Sequence, residues 1–255
     1  MKNTLRQSAV VVIVFITIII NVLADVLPIN GLNTGAISDR FHVYFVPAGY
    51  VFAIWGLIYI GLIAYAIYQA LPAQKNNPRL RATGWWVVLG GLANSIWIFL
   101  WHYEQFVGTL GAMFILLATL IAVYQGLEIG KNKVSSGEKW LVRVPFSIYL
   151  GWITVATVAN VTDVLDVLKW NGFGIAPETW MLIMLGAVFI IAALMSLTRR
   201  DVAYALVLVW ALVGIGVKFT DVSLVATAAR WTAALVALAL AVSLFLPKSR
   251  TGKAA

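Results

Sequence analysis

Cysteine is absent from this 255-residue sequence, and histidine and charged residues are scarce. The lack of cysteine excludes disulfides, thiolate catalysis and cysteine-ligated metal, and only His42 and His102 offer an imidazole. Charged residues make up 11% of the chain, against roughly 25% in an ordinary soluble domain, whereas 62% are hydrophobic and the mean hydropathy is +0.93. We therefore expect an all-α integral membrane protein without a water-soluble domain.

Sequence motifs of catalysis are missing as well. The stretch GLEIGKN, residues 126–132, has the wrong spacing for a phosphate-binding loop, and the sequence contains no HExxH zinc motif. Without a motif that supplies a nucleophile, a base or a metal, we expect neither an enzyme nor a catalytic residue or metal site.

Eight apolar stretches approach the length of about 20 residues that a membrane-spanning helix needs. They cover residues 8–28, 48–70, 83–103, 106–127, 142–164, 178–198, 202–218 and 223–246. We predict a polytopic membrane helix bundle with about eight transmembrane helices.

Positive charge alternates between the connections and predicts the orientation of the bundle. Fourteen of the 18 Lys and Arg residues lie at the N-terminus, in every second loop and in the C-terminal tail. Because cytoplasmic segments carry the excess of Lys and Arg, both termini should be cytoplasmic, in a protein of the bacterial plasma membrane. The net charge of +8 then reflects topology rather than nucleic-acid binding, because the basic residues form no continuous face.

The first helix has an alternative interpretation as a cleaved signal peptide. Lys2 and Arg6 precede its apolar run, and Ala24 ends a stretch that resembles a small-residue cleavage site. The length of the run and the even number of helices favour its retention.

Two connections are longer than a tight turn requires. Residues 29–46 combine turn signals at Asn30-Gly31 and Thr34-Gly35 with polar and aromatic residues, and on the predicted topology they lie outside, where they could fold over the bundle. Residues 165–177 contain NGFGIAP and mark a boundary. We divide the chain into a five-helix core, residues 1–165, and a three-helix appendage, residues 166–255.

Three of the predicted helices carry a stripe of aromatic residues on one face. The members of each stripe are spaced by three or four residues, as on one side of a helix, and two stripes include small or amide residues. The stripes are Phe52, Trp55 and Tyr59 in the second helix, Gly90, Asn94, Trp97 and Trp101 in the third, and Tyr149, Trp152, Ala156 and Asn160 in the fifth.

Not every aromatic residue needs a ligand as its explanation. Trp and Tyr are enriched at membrane interfaces, which accounts for Trp85, Trp86, Tyr103 and Trp140. Asn94 and Trp152, however, fall near the middle of their spans, where a polar side chain needs an internal partner. Interhelical hydrogen bonding and ligand contact both account for these two residues.

The same motifs resemble those of the TspO/MBR family, the tryptophan-rich sensory proteins related to the translocator or peripheral benzodiazepine receptor. PAGYVFAIWGLIY, which begins at Pro47, is similar to the family's proline-aromatic stretch followed by Trp-x-x-x-Tyr. Asn94-x-x-Trp97 looks like its Asn-x-x-Trp, and the spacing from Trp152 to Asn160 matches its Trp and Leu-Asn pattern. The resemblance covers about residues 1–164, so the chain would be a longer relative with three extra helices.

The resemblance implies a receptor or sensor that binds porphyrin, haem or another planar hydrophobic ligand, with roles in tetrapyrrole handling or stress signalling. An aromatic pocket suits a planar conjugated ligand, and amides would orient it. Membrane lipid surrounds such a protein, no cofactor is required, and a homodimer is compatible with this interpretation. The candidate ligand-binding residues are Tyr50, Phe52, Trp55, Tyr59, Asn94, Trp97, Trp101, Trp152, Ala156 and Asn160.

A small-solute or tetrapyrrole transporter is the alternative function. Asn21, Asp25, Asn94 and Arg230 lie inside predicted spans, where polar residues can line a path. The sequence has no clear inverted repeat, which disfavours this alternative. Porphyrin degradation, proposed for some members of the family, is a further alternative that would make the chain an enzyme.

Arg230 lies inside the predicted eighth helix, where an unpaired cation is unfavourable. One interpretation is that it extends outward beside Asp221 and Trp231. The other is that it faces the bundle and pairs with an acid, for which the candidates are Asp25, Asp163 and Asp166.

Overall fold

The computed structural model describes residues 2–27 and 29–246. Eight long helices correspond one to one to the eight predicted segments, and we label them in chain order. They are α1 (Lys2–Val26), α2 (Ile54–Ala70), α3 (Pro78–His102), α4 (Phe106–Gly126), α5 (Val144–Val167), α6 (Pro177–Arg199), α7 (Val202–Lys218) and α8 (Ser223–Phe245). Pro28, the predicted end of the first helix, and the predicted cytoplasmic tail after residue 246 lie outside the described residues.

The helices have the length and composition of membrane spans. Seven segments are long and apolar enough to cross a membrane, and α7 is a shorter apolar helix of 17 residues. Residues 2–27 and 29–246 contain no β-strand. The predicted all-α polytopic bundle is confirmed, and the chain is an integral multi-pass membrane protein.

The fifth helical segment begins earlier than predicted. It starts at Ser136 rather than at residue 142, with Ser135 as its N-cap, and continues through a π-helical turn, Lys139–Arg143, into α5. The hydrophobic pattern missed residues 136–141 because they include the charged Glu138 and Lys139.

The first five helices close into a ring. The contacts run from α1 to α3, α4, α5, α2 and back to α1. Helix α7 packs on the outside of this ring against α5, and α8 packs against both α7 and α6. The ring therefore has an interior that can hold a cavity, and the last three helices attach to it mainly through α7.

The connections alternate between the two ends of the bundle. At one end, which we call the N-terminal end, Asn3 bonds to Asn76, Arg199 to Ile129 O and Arg200 to Leu246 O. At the other end lie residues 29–46, which we call the cap segment, with residues 103–105, 168–176 and 219–222. We call this second end the cap end.

A close backbone approach joins α7 to the ring at the cap end. The backbone N–H of Ala48 donates to the carbonyl oxygen of Gly214 at 3.2 Å. A Cβ at Gly214 would collide with Cγ2 of Val51, which is fully buried. Glycine at this position therefore lets α7 pack directly on the turn Gly49–Ala53 that precedes α2.

Candidate ligand-binding site

A cavity of about 470 Å³ lies beneath the cap segment, between α1, α2 and α3. Phe52, Trp55 and Tyr59 line it from the start of α2 and the preceding turn, and Trp97 lines it from α3. The aromatic stripes of the second and third helices thus meet around one cavity. Its remaining wall comes from α1 and from residues 33–39 of the cap segment, which include Asn33, Thr34 and Asp39.

The aromatic rings around this cavity hold one another in place. Trp55 stacks on Tyr59 with ring centroids 5.6 Å apart, and Trp97 stacks on Trp101 at 5.1 Å. Trp152 on α5 lies edge-on to Trp55 at 6.3 Å. Such stacked and edge-to-face arrangements are the favoured geometries of aromatic pairs, so the rings are positioned before any ligand arrives.

A second, smaller cavity of about 50 Å³ brings in the stripe of the fifth helix. Trp152, Ala156 and Asn160 of α5 line it together with Trp101 of α3. It shares three lining residues with the large cavity, namely Thr34, Phe52 and Trp97. The two cavities are therefore neighbours, and eight of the ten predicted site residues line one or both of them.

A family comparison agrees with this geometry. The model of the TSPO-like protein family matches residues 7–245. The chain belongs to the TSPO-like family. No curated protein and no solved structure matches the sequence.

The family match confirms the resemblance that the aromatic motifs carry. The matched range includes the last three helices as well as the first five. The family assignment therefore applies to the whole bundle, while the division of the chain at residue 165 stays a prediction.

Asn160 holds a ring in position. Its Oδ1 accepts a hydrogen bond from Trp97 Nε1 at 3.1 Å, and its Nδ2 donates to Thr109 Oγ1 at 2.8 Å. The amide thus connects α3, α4 and α5 and fixes the plane of Trp97. Within the predicted site, Asn160 therefore orients the ring of Trp97.

Asn94 and Tyr50 line neither of the two cavities. Asn94 is buried, accepts from Asn21 Nδ2 at 2.7 Å and donates to the hydroxyl of Tyr149 at 3.1 Å. Of its two interpretations, interhelical hydrogen bonding is the one that the contacts favour. Tyr50 is 47% exposed and lies edge-on to Trp210 of α7, which places its ring outside the ring of five helices.

The cap segment is bonded to the helices that it covers. Trp101 Nε1 donates to Thr34 O at 3.2 Å, and Asn30 Nδ2 donates to His102 O at 3.0 Å. The imidazole of His102 contacts Ile29 O through Nδ1 and Thr34 Oγ1 through Nε2, at 3.0 and 3.1 Å. Both ring nitrogens of this histidine are therefore used to hold the cap segment against α3.

Charged groups also hold the cap segment. Arg40 pairs with Glu104, and this hydrogen bond holds the pKa of Glu104 below its usual range. The hydrogen bond from the Tyr44 hydroxyl to Glu178 at 3.0 Å raises the pKa of that tyrosine. Asp39 pairs with Lys218 at 2.8 Å. The cap segment is thus fastened to α6 and α7 as well as to the ring.

The sequence pattern did not identify all residues that line the two cavities. Asn21 and Asp25 of α1 line the large cavity, and Asp163 of α5 lines the small one. Asp163 follows Asn160 by three residues, so extending the α5 stripe by one more turn would have reached it. Helix α1 has no aromatic stripe, so the sequence pattern indicated Asn21 and Asp25 only as polar residues of a predicted span that could line a transport path.

A third cavity, of about 530 Å³, lies outside the ring between α5 and α6. Its lining combines aliphatic residues such as Val161 and Ile191 with the aromatic rings of Tyr44, Trp170 and Trp180. Of this third cavity and the large cavity between α1, α2 and α3, only the large cavity is lined by predicted site residues.

The lining residues do not suit coordination of a metal. Across the described parts of the chain there is no group of three or more His, Asp or Glu residues that could hold a metal ion. Among the described residues that line the large or the small cavity, none is His or Met. Axial ligands of haem iron are typically His, Cys, Met or Tyr. Among the described residues that line the large or the small cavity, Tyr59 is the one side chain of this type.

Arg230 forms none of the three proposed ion pairs. Its Nη2 donates to Gly216 O at 2.8 Å, and no carboxylate lies within ion-pair distance among the residues that the structure describes. The side chain is exposed and packs beside the C-terminal end of α7. The contacts favour the interpretation in which Arg230 extends away from the ring.

Proposed function

We propose that this TSPO-like protein is a membrane receptor or sensor that binds a planar hydrophobic ligand, such as a porphyrin, in the cavity beneath the cap segment. The observation that carries the proposal is the cavity of about 470 Å³ whose wall includes the rings of Phe52, Trp55, Tyr59 and Trp97. Its volume lies within the range of about 300 to 1,000 Å³ that is typical of small-molecule sites.

The mode of binding would be stacking on ring faces. Trp55 and Trp97 belong to different helices, and each stacks on a second ring, Tyr59 for Trp55 and Trp101 for Trp97. A planar conjugated molecule gains from offset or edge-to-face contact with such rings. The same contacts would serve a metal-free porphyrin and haem alike, so iron coordination is not part of the proposal. We also propose that the chain binds its ligand without catalysing a reaction.

The test is a titration of the protein in lipid nanodiscs with protoporphyrin IX, followed by porphyrin absorbance so that removal of a tryptophan leaves the reporter intact. Replacing Trp55 or Trp97 with Ala should remove about 0.5 to 1.5 kcal/mol of aromatic interaction. This corresponds to affinity about 2- to 12-fold weaker. Trp97→Phe, which keeps an aromatic ring but loses the bond to Asn160, should lose less affinity than Trp97→Ala.

Two matched controls separate the cavity from other causes. Trp140→Ala removes a tryptophan that is 62% exposed at the N-terminal end and should leave the affinity unchanged. Ala187→Trp fills part of the third cavity, between α5 and α6, and should also leave the affinity unchanged. Equal losses of affinity on replacing Trp55, Trp97 and Trp140 would indicate general destabilisation. A loss of affinity in Ala187→Trp alone would place the ligand in the third cavity. Either result contradicts the proposal.

Transport is the second candidate function, and one observation favours it. Asn21 and Asp25 line the same cavity as the aromatic rings, so its wall also has a polar part. Asn94 and Arg230 do not extend this polar wall into a path, because Asn94 is bonded within the core and Arg230 lies on α8. Flux of a labelled porphyrin into proteoliposomes would support transport, whereas saturable binding without flux supports a receptor.

We further propose that the N-terminal end faces the cytoplasm of a bacterial cell. Leu32 of the cap segment and Ser136 near the N-terminal end are both exposed, and the native chain has no cysteine. Cysteine at Leu32 should react with an impermeant maleimide on intact cells, and cysteine at Ser136 should not. Reaction at Ser136 alone would reverse the orientation.

A further inference from the structure

The small cavity contains two buried polar atoms without a protein partner. Trp152 and Asp163 are each 3% exposed, and both residues line this cavity. Within residues 2–27 and 29–246, neither Trp152 Nε1 nor Asp163 Oδ1 has a hydrogen-bond partner. Buried polar groups in folded proteins are nearly always bonded, so each exception calls for an explanation.

Trp152 and Asp163 lie on one wall of the small cavity. They are 11 residues apart on α5, which separates their backbones by about 16 Å along the helix axis at about 1.5 Å per residue. Ala156 and Asn160, which lie between them in the stripe, also line this cavity. An extended substituent of a ligand that lies along this wall can approach both residues.

Asp163 forms no ion pair with a basic residue of the described chain. Two basic residues of the cap end pair with other carboxylates, because Lys218 pairs with Asp39 and Arg40 pairs with Glu104. Among the described residues, no Lys, Arg or His nitrogen lies within ion-pair distance of Asp163. A buried carboxylate is unfavourable without a partner of opposite charge, so a partner from outside the chain would stabilise it.

We propose that the small cavity is a polar subsite of the ligand site, and that Asp163 selects a ligand whose substituent carries a cationic amino group. The inference rests on the proposed function, because the subsite shares Thr34, Phe52 and Trp97 with the aromatic cavity. The planar part of the ligand stacks on the rings, and its amino group donates to Asp163. Trp152 Nε1 is left to donate to an acceptor deeper in the same subsite.

The test compares two porphyrin probes that differ in one group. One probe carries an aminoalkyl side chain, which is protonated at neutral pH, and the other carries the same chain with its nitrogen acetylated and neutral. The unchanged protein in nanodiscs should bind the amino probe at least about 10-fold more tightly. Asp163→Asn, which has nearly the same shape, should abolish this preference, so that the two probes bind with about equal affinity.

Asp166→Asn is the matched control. Asp166 lies on the same helix but accepts from the backbone N–H of His42 and does not line the small cavity, so this variant should keep the preference for the amino probe. A thermal unfolding curve of each variant accompanies the titration and identifies any loss of folding.

The comparison of probes on the unchanged protein needs no variant and gives a decisive result. Equal binding of both probes would overturn the role of Asp163 while the aromatic site stands. Binding of neither probe would overturn the aromatic site and the subsite together. Retention of the preference in Asp163→Asn would also overturn the inference, because the cation would then be recognised by another group.

Discussion

Two buried aspartates at opposite ends of the bundle have opposite surroundings. Asp201, at the N-terminal end, is 7% exposed and accepts from the hydroxyls of Tyr124 and Ser147 at 2.8 and 2.6 Å and from Tyr204 N at 3.1 Å. Asp163, at the cap end, is 3% exposed and has no hydrogen bond within the part of the chain that the structure describes. The donors to Asp201 come from α4, α5 and α7, so this carboxyl joins the ring to the last three helices.

The contrast separates a carboxyl that belongs to the framework from one that is available to a ligand. Unpaired nitrogens also occur at the N-terminal end, on Arg6 and Arg143. In both of these residues, however, another nitrogen of the same guanidinium bonds to a backbone carbonyl. Asp163 has no hydrogen bond of this kind within the described residues, and it also lines a cavity. These two features together distinguish Asp163 at the cap end from the buried arginines at the N-terminal end.

The largest expected effect is on stability when Asp201 is replaced with Ala. Tyr124 and Ser147 are both buried, and each would be left without its acceptor. A buried polar group that loses its partner costs about 1 to 3 kcal/mol, so we expect a loss of about 2 to 6 kcal/mol in the free energy of unfolding. Denaturant unfolding in a fixed detergent measures this change.

Asp163→Asn is the matched comparison, because no protein hydrogen bond is lost there. It should leave the free energy of unfolding unchanged or raise it, since a charge is removed from a buried site. A destabilisation by Asp163→Asn as large as that by Asp201→Ala would remove the distinction between the two carboxyls.

The next largest effect is expected at the joint between α7 and the ring. Gly214→Ala places a Cβ against Val51, whose branched side chain has little freedom to move. Overpacking of this kind costs about 1 to 3 kcal/mol. It should also weaken porphyrin binding, because the turn that contains Val51 also carries Phe52, which lines the large cavity.

Gly186→Ala provides the control for this change. A Cβ at Gly186 meets nothing within 4 Å, and Ala is favoured over Gly inside a helix by about 1 kcal/mol. This variant should be at least as stable as the unchanged protein, with unaltered binding. Equal destabilisation by both substitutions would point to helix packing in general rather than to the contact between Gly214 and Val51.

The sequence predicted the helices well because membrane spans depend on a local property, the length of an apolar run. All eight segments have a counterpart in the structure. The start of the fifth was missed because Glu138 and Lys139 interrupt the hydrophobic run without interrupting the helix. The order of the helices around the ring was beyond prediction, since it depends on contacts between distant segments.

The site was predictable to the extent that it follows helical periodicity. Phe52, Trp55 and Tyr59 were placed correctly on one side, and all three line the large cavity. Tyr50 shares the turn Gly49–Ala53 with Phe52, but its ring contacts Trp210 of α7 instead of the cavity, a contact with a distant segment that helical periodicity does not reveal. Asn94 could not be assigned from its own helix, because its partner Asn21 belongs to α1.

The smallest expected effect concerns the ion pair that holds the cap segment to the turn between α3 and α4. Arg40 lowers the pKa of Glu104 in the folded protein. Its stabilising contribution is therefore fully present above the ordinary glutamate pKa of about 4.3 and is lost as the pH falls through the lowered pKa. Because both side chains are about half exposed, solvent and salt screen the pair, and its loss should loosen the cap segment without unfolding the bundle.

A single environment-sensitive dye on a cysteine at Leu32 would report this loosening in a pH titration. Three other carboxylates also hold the cap segment, because Asp25 and Asp166 accept from its backbone and its own Asp39 pairs with Lys218. The informative quantity is therefore the difference in fluorescence between the protein and its Glu104→Gln variant. We expect the two fluorescence curves to differ above the ordinary glutamate pKa of about 4.3 and to converge as the pH falls through the lowered pKa of Glu104. High salt should reduce the difference. Curves that coincide throughout would show that this pair does not hold the cap segment, which would then depend on the buried bonds of His102 and Trp101.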